Sequence, residues 1–127
     1  MTRFYDIDDA NAALPDLDGI LTTLAEQRAE LIRLRDQVTA DEKPEAEELR
    51  RTRLRMQGLI DQMAAGVARI EELGITLRDI PGGLIDFPAL VNGRQVWLCW
   101  RRGEADVRHW HPVDTGFADR RPLSELV

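Results

Sequence analysis

Apolar residues recur at helical spacing through the first half of the chain. From Asp16 to about Asp41, Leu17, Leu21, Leu24, Leu31 and Val38 form one stripe, widened by Ile20, Ile32 and Leu34, the pattern of a helix with one buried side. A second run, from about Glu45 to Leu73, sets Leu49, Met56, Ile60, Met63, Val67 and Ile70 along one side. After Met56 these alternate by three and four, a coiled-coil-like seam. Asp41-Glu-Lys-Pro44 separates the two runs, since Pro44 can open a helix but not continue one. Glu45, Glu47 and Glu48 suit the positive end of the second helix, and Gly74 suits the position just past its other end. Upstream, Arg3-Phe4-Tyr5 reads as a short strand and Asp6 as an N-cap, with Asp9 three residues on. A short helix over Asp8–Leu14 is then expected to stop at Pro15.

After Gly74 the period changes to two. Ile75-Thr-Leu-Arg78 alternates as a strand, and Pro81-Gly-Gly83 marks a turn. Asn92-Gly93 lies between two β-rich runs, the signal for a type I′ hairpin. With that turn, Val91 pairs with Arg94, Ala89 with Val96, Phe87 with Leu98 and Ile85 with Trp100. The opposite face then carries Asp86 across from Cys99 and Pro88 across from Trp97. Pro88 has no N–H, which points to an edge or a bulge there. The next turn, around Arg102–Ala105, admits two lengths. A two-residue Gly103-Glu104 turn sets Trp97 opposite Trp110 and Leu98 opposite His109; one more loop residue sets Cys99 opposite His109 and Trp97 opposite His111. Asp114 to Leu123 reads as a loop folded back over the sheet and anchored by Phe117.

These elements predict one α+β domain over residues 1–127: a long antiparallel helical hairpin (1–74) packed at one end on a small antiparallel β-meander (75–127). Helices of this size reach on the order of 40 Å, and seven-residue strands only about 23 Å. The stripe left over, including Ile20, Ile32, Leu34 and Leu59, therefore predicts a homodimer through the helices, or an unidentified protein partner. Residues 1–74 carry 10 basic against 16 acidic side chains and residues 75–127 carry 7 of each. An acidic helical half argues against nucleic acid. No apolar run long enough for a membrane span occurs, so no membrane role is expected. A lone cysteine and an N-terminus without an apolar leader point to a cytoplasmic protein.

Phe4, Ala10-Asn11 and Leu14-Pro15 precede the two long helices. Behind them come Gly83-Leu-Ile-Asp-Phe-Pro88, Gly93-Arg94, Leu98-Cys-Trp-Arg101, Gly103-Glu104, Trp110-His111 and Gly116-Phe117, with Arg120 and Pro122-Leu123. This ensemble is similar to a family of short bacterial proteins known as a numbered domain of unknown function, 2203. The resemblance covers nearly the whole chain, includes His111 but not His109, and implies a bacterial cytosolic protein. It carries over no catalytic residue.

The stretch from Leu84 to His111 holds all three tryptophans, both histidines and the only cysteine. Asp86, Cys99, His109 and His111 offer the carboxylate, thiolate and imidazole donors that zinc accepts, although no paired-cysteine or His-Glu-x-x-His spacing reinforces them. The plainer alternative is a buried, inert Cys99 with His111 hydrogen-bonded to Asp114 or Glu104. A Cys99–His111–Asp114 nucleophilic set lacks a helix N-terminus or elbow turn to activate the thiol. Trp97, Arg101, Arg120 and Arg121 could gather around an anion; pairing of the arginines with Glu104, Asp106 and Asp119 is the bland account. The function expected from sequence is thus a non-catalytic interaction or assembly protein that self-associates, without catalytic residues or a required cofactor. The alternative is a metal- or ligand-binding module, with zinc as the ion; an enzyme acting on a small anion is a third class, resting on His111 and the arginines.

Overall fold

The computed structural model describes residues 3–126. Helix α1 (Ile7–Ala40) and helix α2 (Ala46–Glu72) form the hairpin, followed by strands β1 (Thr76–Asp79), β2 (Leu84–Val91), β3 (Arg94–Arg101), β4 (His109–Pro112) and β5 (Arg121–Pro122). All neighbouring strands are antiparallel, in the order β1-β2-β3-β4-β5. The molecule is therefore an α+β fold, with two long helices packed on each other and a five-stranded sheet.

The meander follows its turn residues. Asn92 and Gly93 both have positive φ, 53° and 77°, as a type I′ turn requires. Every β2–β3 pair stands in the expected register, from Val91↔Arg94 to Leu84↔Arg101. Pro88 is tolerated because β1 covers only the Leu84–Asp86 end of β2. At the uncovered part, the Pro88 carbonyl accepts instead from the Tyr5 N–H at 2.7 Å. Residues 3–5 form no strand; this bond and the edge-to-face packing of Tyr5 on Phe87 tie them to the sheet. Of the two registers for the following turn, that of the longer one holds, with Cys99↔His109 and Trp97↔His111, although the connection runs over 102–108 and is no tight turn.

The inner face of the sheet is apolar. Ile85, Phe87, Val96, Leu98, Trp100 and Trp110 pack with Leu14, Leu17, Leu21 and Leu24 of α1 and Ile70 of α2 in one buried cluster. Each such side chain contributes about 1.5–3 kcal/mol on full burial. That packing runs along both sides of Pro15 and explains a departure from expectation: Pro15 does not break the helix, and α1 is continuous from Ile7 to Ala40. The proline costs an internal hydrogen bond, about 3 kcal/mol with its steric clash; burial of Ala10, Leu14, Leu17 and Leu21 outweighs it. Asp6 caps α1 by accepting from the Asp9 N–H at 2.7 Å. Gly74, at φ 77°, follows the last turn of α2.

The C-terminal segment also departs from the expected loop. Arg121–Pro122 adds strand β5, and 3-10 turns form at Phe117–Asp119 and Leu123–Glu125. Leu123 and Leu126, not Phe117, pack on the core. Phe117 remains 39% exposed, with the guanidinium groups of Arg101 and Arg120 at 5.9 and 4.7 Å from its ring.

Replacing Pro15 by Ala should restore the missing helical bond and raise unfolding stability by about 1–3 kcal/mol in urea titration. A loss of stability would show that the core depends on a bend imposed by the proline.

Candidate functional site

Strand alternation sends Asp86, Cys99 and His111 to the face away from the helices. Asp86 lies opposite Cys99 in the β2–β3 ladder, and His111 stands on β4 two residues beyond the partner of Cys99. Their donor atoms lie within 4.8 Å of one another, and all three residues are buried. His111 Nε2 is 2.9 Å from Asp86 Oδ2, and His111 Nδ1 is 2.9 Å from the Pro112 carbonyl. A carbonyl only accepts, so Nδ1 carries a proton and donates to it. A proton on Nε2 likewise donates to Asp86 Oδ2, and the ring makes both bonds at once only as the imidazolium. A carboxylate buried this deeply needs positive charge beside it.

Part of that charge comes from β1. A bulge between Leu77 and Asp79 leaves Arg78 outside the pairing, and its Nε donates to Asp86 Oδ2 at 2.9 Å. The guanidinium also lies 5.1 Å from the Trp97 ring, which stiffens its position. Asp86 Oδ2 is thus doubly engaged, while Oδ1 is buried without a hydrogen-bond partner among the described residues. Arg78 was not foreseen from sequence, because only the bulge carries it to Asp86. A cavity of about 270 Å³ adjoins the cluster, lined by Arg78, Leu84, Asp86 and the loop from Val113 to Phe117.

The remaining candidates lie elsewhere. His109 is not part of the cluster; its Nδ1 is 3.6 Å from Glu104 Oε2, too far for a hydrogen bond. Glu104 instead accepts from Arg120 and from the Arg101 N–H, each at 2.6 Å. Neither Glu104 nor Asp114 bonds His111. Trp97, Arg101, Arg120 and Arg121 do not converge: Trp97 lies under Arg78, Arg101 and Arg120 flank Phe117, and Arg121 packs on the inner-face Trp110 while pairing with Asp119. Trp100 and Trp110 are core residues.

Burial pushes the Cys99 thiol up to about 12; the Asp86 charge adds to the rise and Arg120 opposes it. The thiol is protonated at neutral pH and is no nucleophile there. In an unfolded chain it ionises near 9.0, in the fold only near 12. Folding stability is therefore complete below the lower value and is lost as pH rises through this window, by up to about 1.4 kcal/mol per pH unit. Tyr5, also raised by burial, adds its own alkaline loss. Subtracting the unfolding curve of Cys99→Ala from that of the native protein should isolate the thiol's share between pH 9 and 12. Parallel curves would contradict the burial argument. Native Cys99 should also react with a disulfide reagent at pH 8 at least about a thousandfold more slowly than in denaturant.

Among curated proteins and among solved structures, nothing matches the chain. Residues 3–123 match the model of a family described as an uncharacterized conserved protein, DUF2203. That span takes in both helices and all five strands, and the chain belongs to the DUF2203 family.

Proposed function

We propose that the protein is a metal-binding module, in which Asp86, Cys99 and His111 together hold one divalent ion of the zinc class. The observation that carries this reading is the buried Asp86 carboxylate, one oxygen unpartnered, facing an imidazole whose other nitrogen is tied to a carbonyl. A ligating histidine is commonly oriented by such a bond. Thiolate, imidazole and carboxylate together suit zinc better than magnesium or calcium, which take oxygen donors. Bond lengths of 2.0–2.3 Å in a tetrahedron place donor atoms about 3.3–3.7 Å apart. The donor atoms lie within 4.8 Å of one another, so a shift of about 1 Å would bring them to that spacing. Carboxylate and thiolate would neutralise the ion, and Arg78 would remain as an outer partner of Asp86.

The test is uptake by purified, folded protein. One zinc per chain is expected by elemental analysis after loading, and cobalt should produce a thiolate-to-cobalt absorption band. Cys99→Ala, which disturbs packing little, should abolish that band and lower affinity by more than about 100-fold. Absence of stoichiometric binding at micromolar metal would refute the proposal. Because His111→Ala leaves Asp86 short of a partner and is prone to unfold, Asp86→Asn serves as the second variant.

Self-association through the helices is the second reading. Beyond Leu24, the hairpin buries only Leu34, while Leu31, Ile32, Met56 and Leu59 are half-buried and Leu54 and Ile60 exposed. α2 covers Leu34 within one chain, and Leu54 and Ile60 stand about 120° apart around α2, so no single wide apolar face remains. The half-buried seam is what supports a second copy as occupant. Light scattering behind size exclusion should then give twice the 14.5 kDa chain mass; a monomer at high micromolar concentration ends this reading and leaves the metal proposal intact.

A further inference from the structure

Resting on the metal-binding reading, we infer that the ion's remaining coordination position opens on the adjoining cavity and takes a small carboxylate ligand with a cationic far end. Three protein donors leave one position of a tetrahedron unfilled. Of the three donors, only Asp86 lines the cavity, so an ion held by them would meet the cavity beside Asp86. The cavity's volume of about 270 Å³ corresponds to roughly nine waters at about 30 Å³ each. It is smaller than the roughly 300–1,000 Å³ of sites for drug-sized molecules. The ligand is therefore a compact molecule.

Its chemistry follows from the walls. Arg78 lines the cavity while donating to Asp86 Oδ2, so a guanidinium lies beside the open position and selects an anionic group there. Asp114, exposed and on the same lining, offers a carboxylate away from the cluster and favours a cationic or donor group. Leu84, Val113 and Phe117 supply apolar surface along the same wall, which suits a short methylene body. Without the ion, the cavity floor is a carboxylate beside a guanidinium whose charges largely cancel. Anion binding should therefore depend on the metal.

The probes are butanoate and 4-aminobutanoate, which differ only in the terminal ammonium and chelate cobalt poorly in solution. Each is titrated against cobalt-loaded protein and followed by the visible bands of the ion. Both should shift the bands, with 4-aminobutanoate about threefold tighter, the size of an exposed ion pair. Asp114→Asn should abolish that preference without changing cobalt affinity, and Arg78→Gln should weaken both probes. Cobalt bound in equal stoichiometry, with bands unmoved by either probe, overturns the open position while sparing the metal site. Bands that shift equally for both probes overturn the role of Asp114 and the zwitterionic ligand. No cobalt uptake at all overturns the metal-binding reading itself.

Discussion

Two residues, Asn92 and Gly93, decide which side of the sheet every β2 and β3 side chain occupies. Their paired positive φ values close a two-residue turn, and the side-chain period of two then propagates the choice along both strands. Ile85, Phe87, Val96, Leu98 and Trp100 fall on the helix side, Asp86 and Cys99 on the other. A slip of one residue would drive a carboxylate into the apolar cluster and set Phe87 among the buried polar side chains of the outer face. Either error costs several kcal/mol, so the register is held from both faces at once.

The outer face is unusual because it is polar and yet buried. Asp86 and His111 are each 1% exposed, and burying a carboxylate alone would cost several kcal/mol. Arg78 and His111 offset this, and in doing so they link β1, β2 and β4 across the sheet. A well-packed apolar trio would stabilise the sheet about as well. Stability alone therefore gives no physical reason for gathering an acid, an imidazole and a thiol there, nor for leaving Asp86 Oδ1 without a partner.

Local chemistry was the legible part of this chain. Asn92-Gly93 specified a complete register, Gly74 and the Pro44 break bounded α2 within a residue or so, and Asp6 announced the start of α1. What escaped the sequence depended on contacts between distant segments. Pro15 would end an isolated helix; it is carried through by leucines packed on a sheet that begins some sixty residues later. The register of β4 has two allowed values, and the choice between them rests on burying Trp110 inward and His111 outward. Arg78 reaches Asp86 only through a bulge. Phe117 looked like an anchor by its hydrophobicity, but the arginines on either side keep it at the surface. The candidate site was legible as a set of residue types, one histidine too large, because His109 and His111 share a strand face and differ only in reach.

The raised thiol bears on what kind of ion such a cluster could keep. A metal would have to displace the thiol proton, and burial, which pushes the Cys99 thiol up to about 12, makes that step harder than for a free thiol. Only a soft ion with strong sulfur affinity would offset that step. A hard ion such as magnesium gains little from sulfur and does not. The same burial that makes Cys99 inert as a nucleophile would thus act as a filter on any ion bound there.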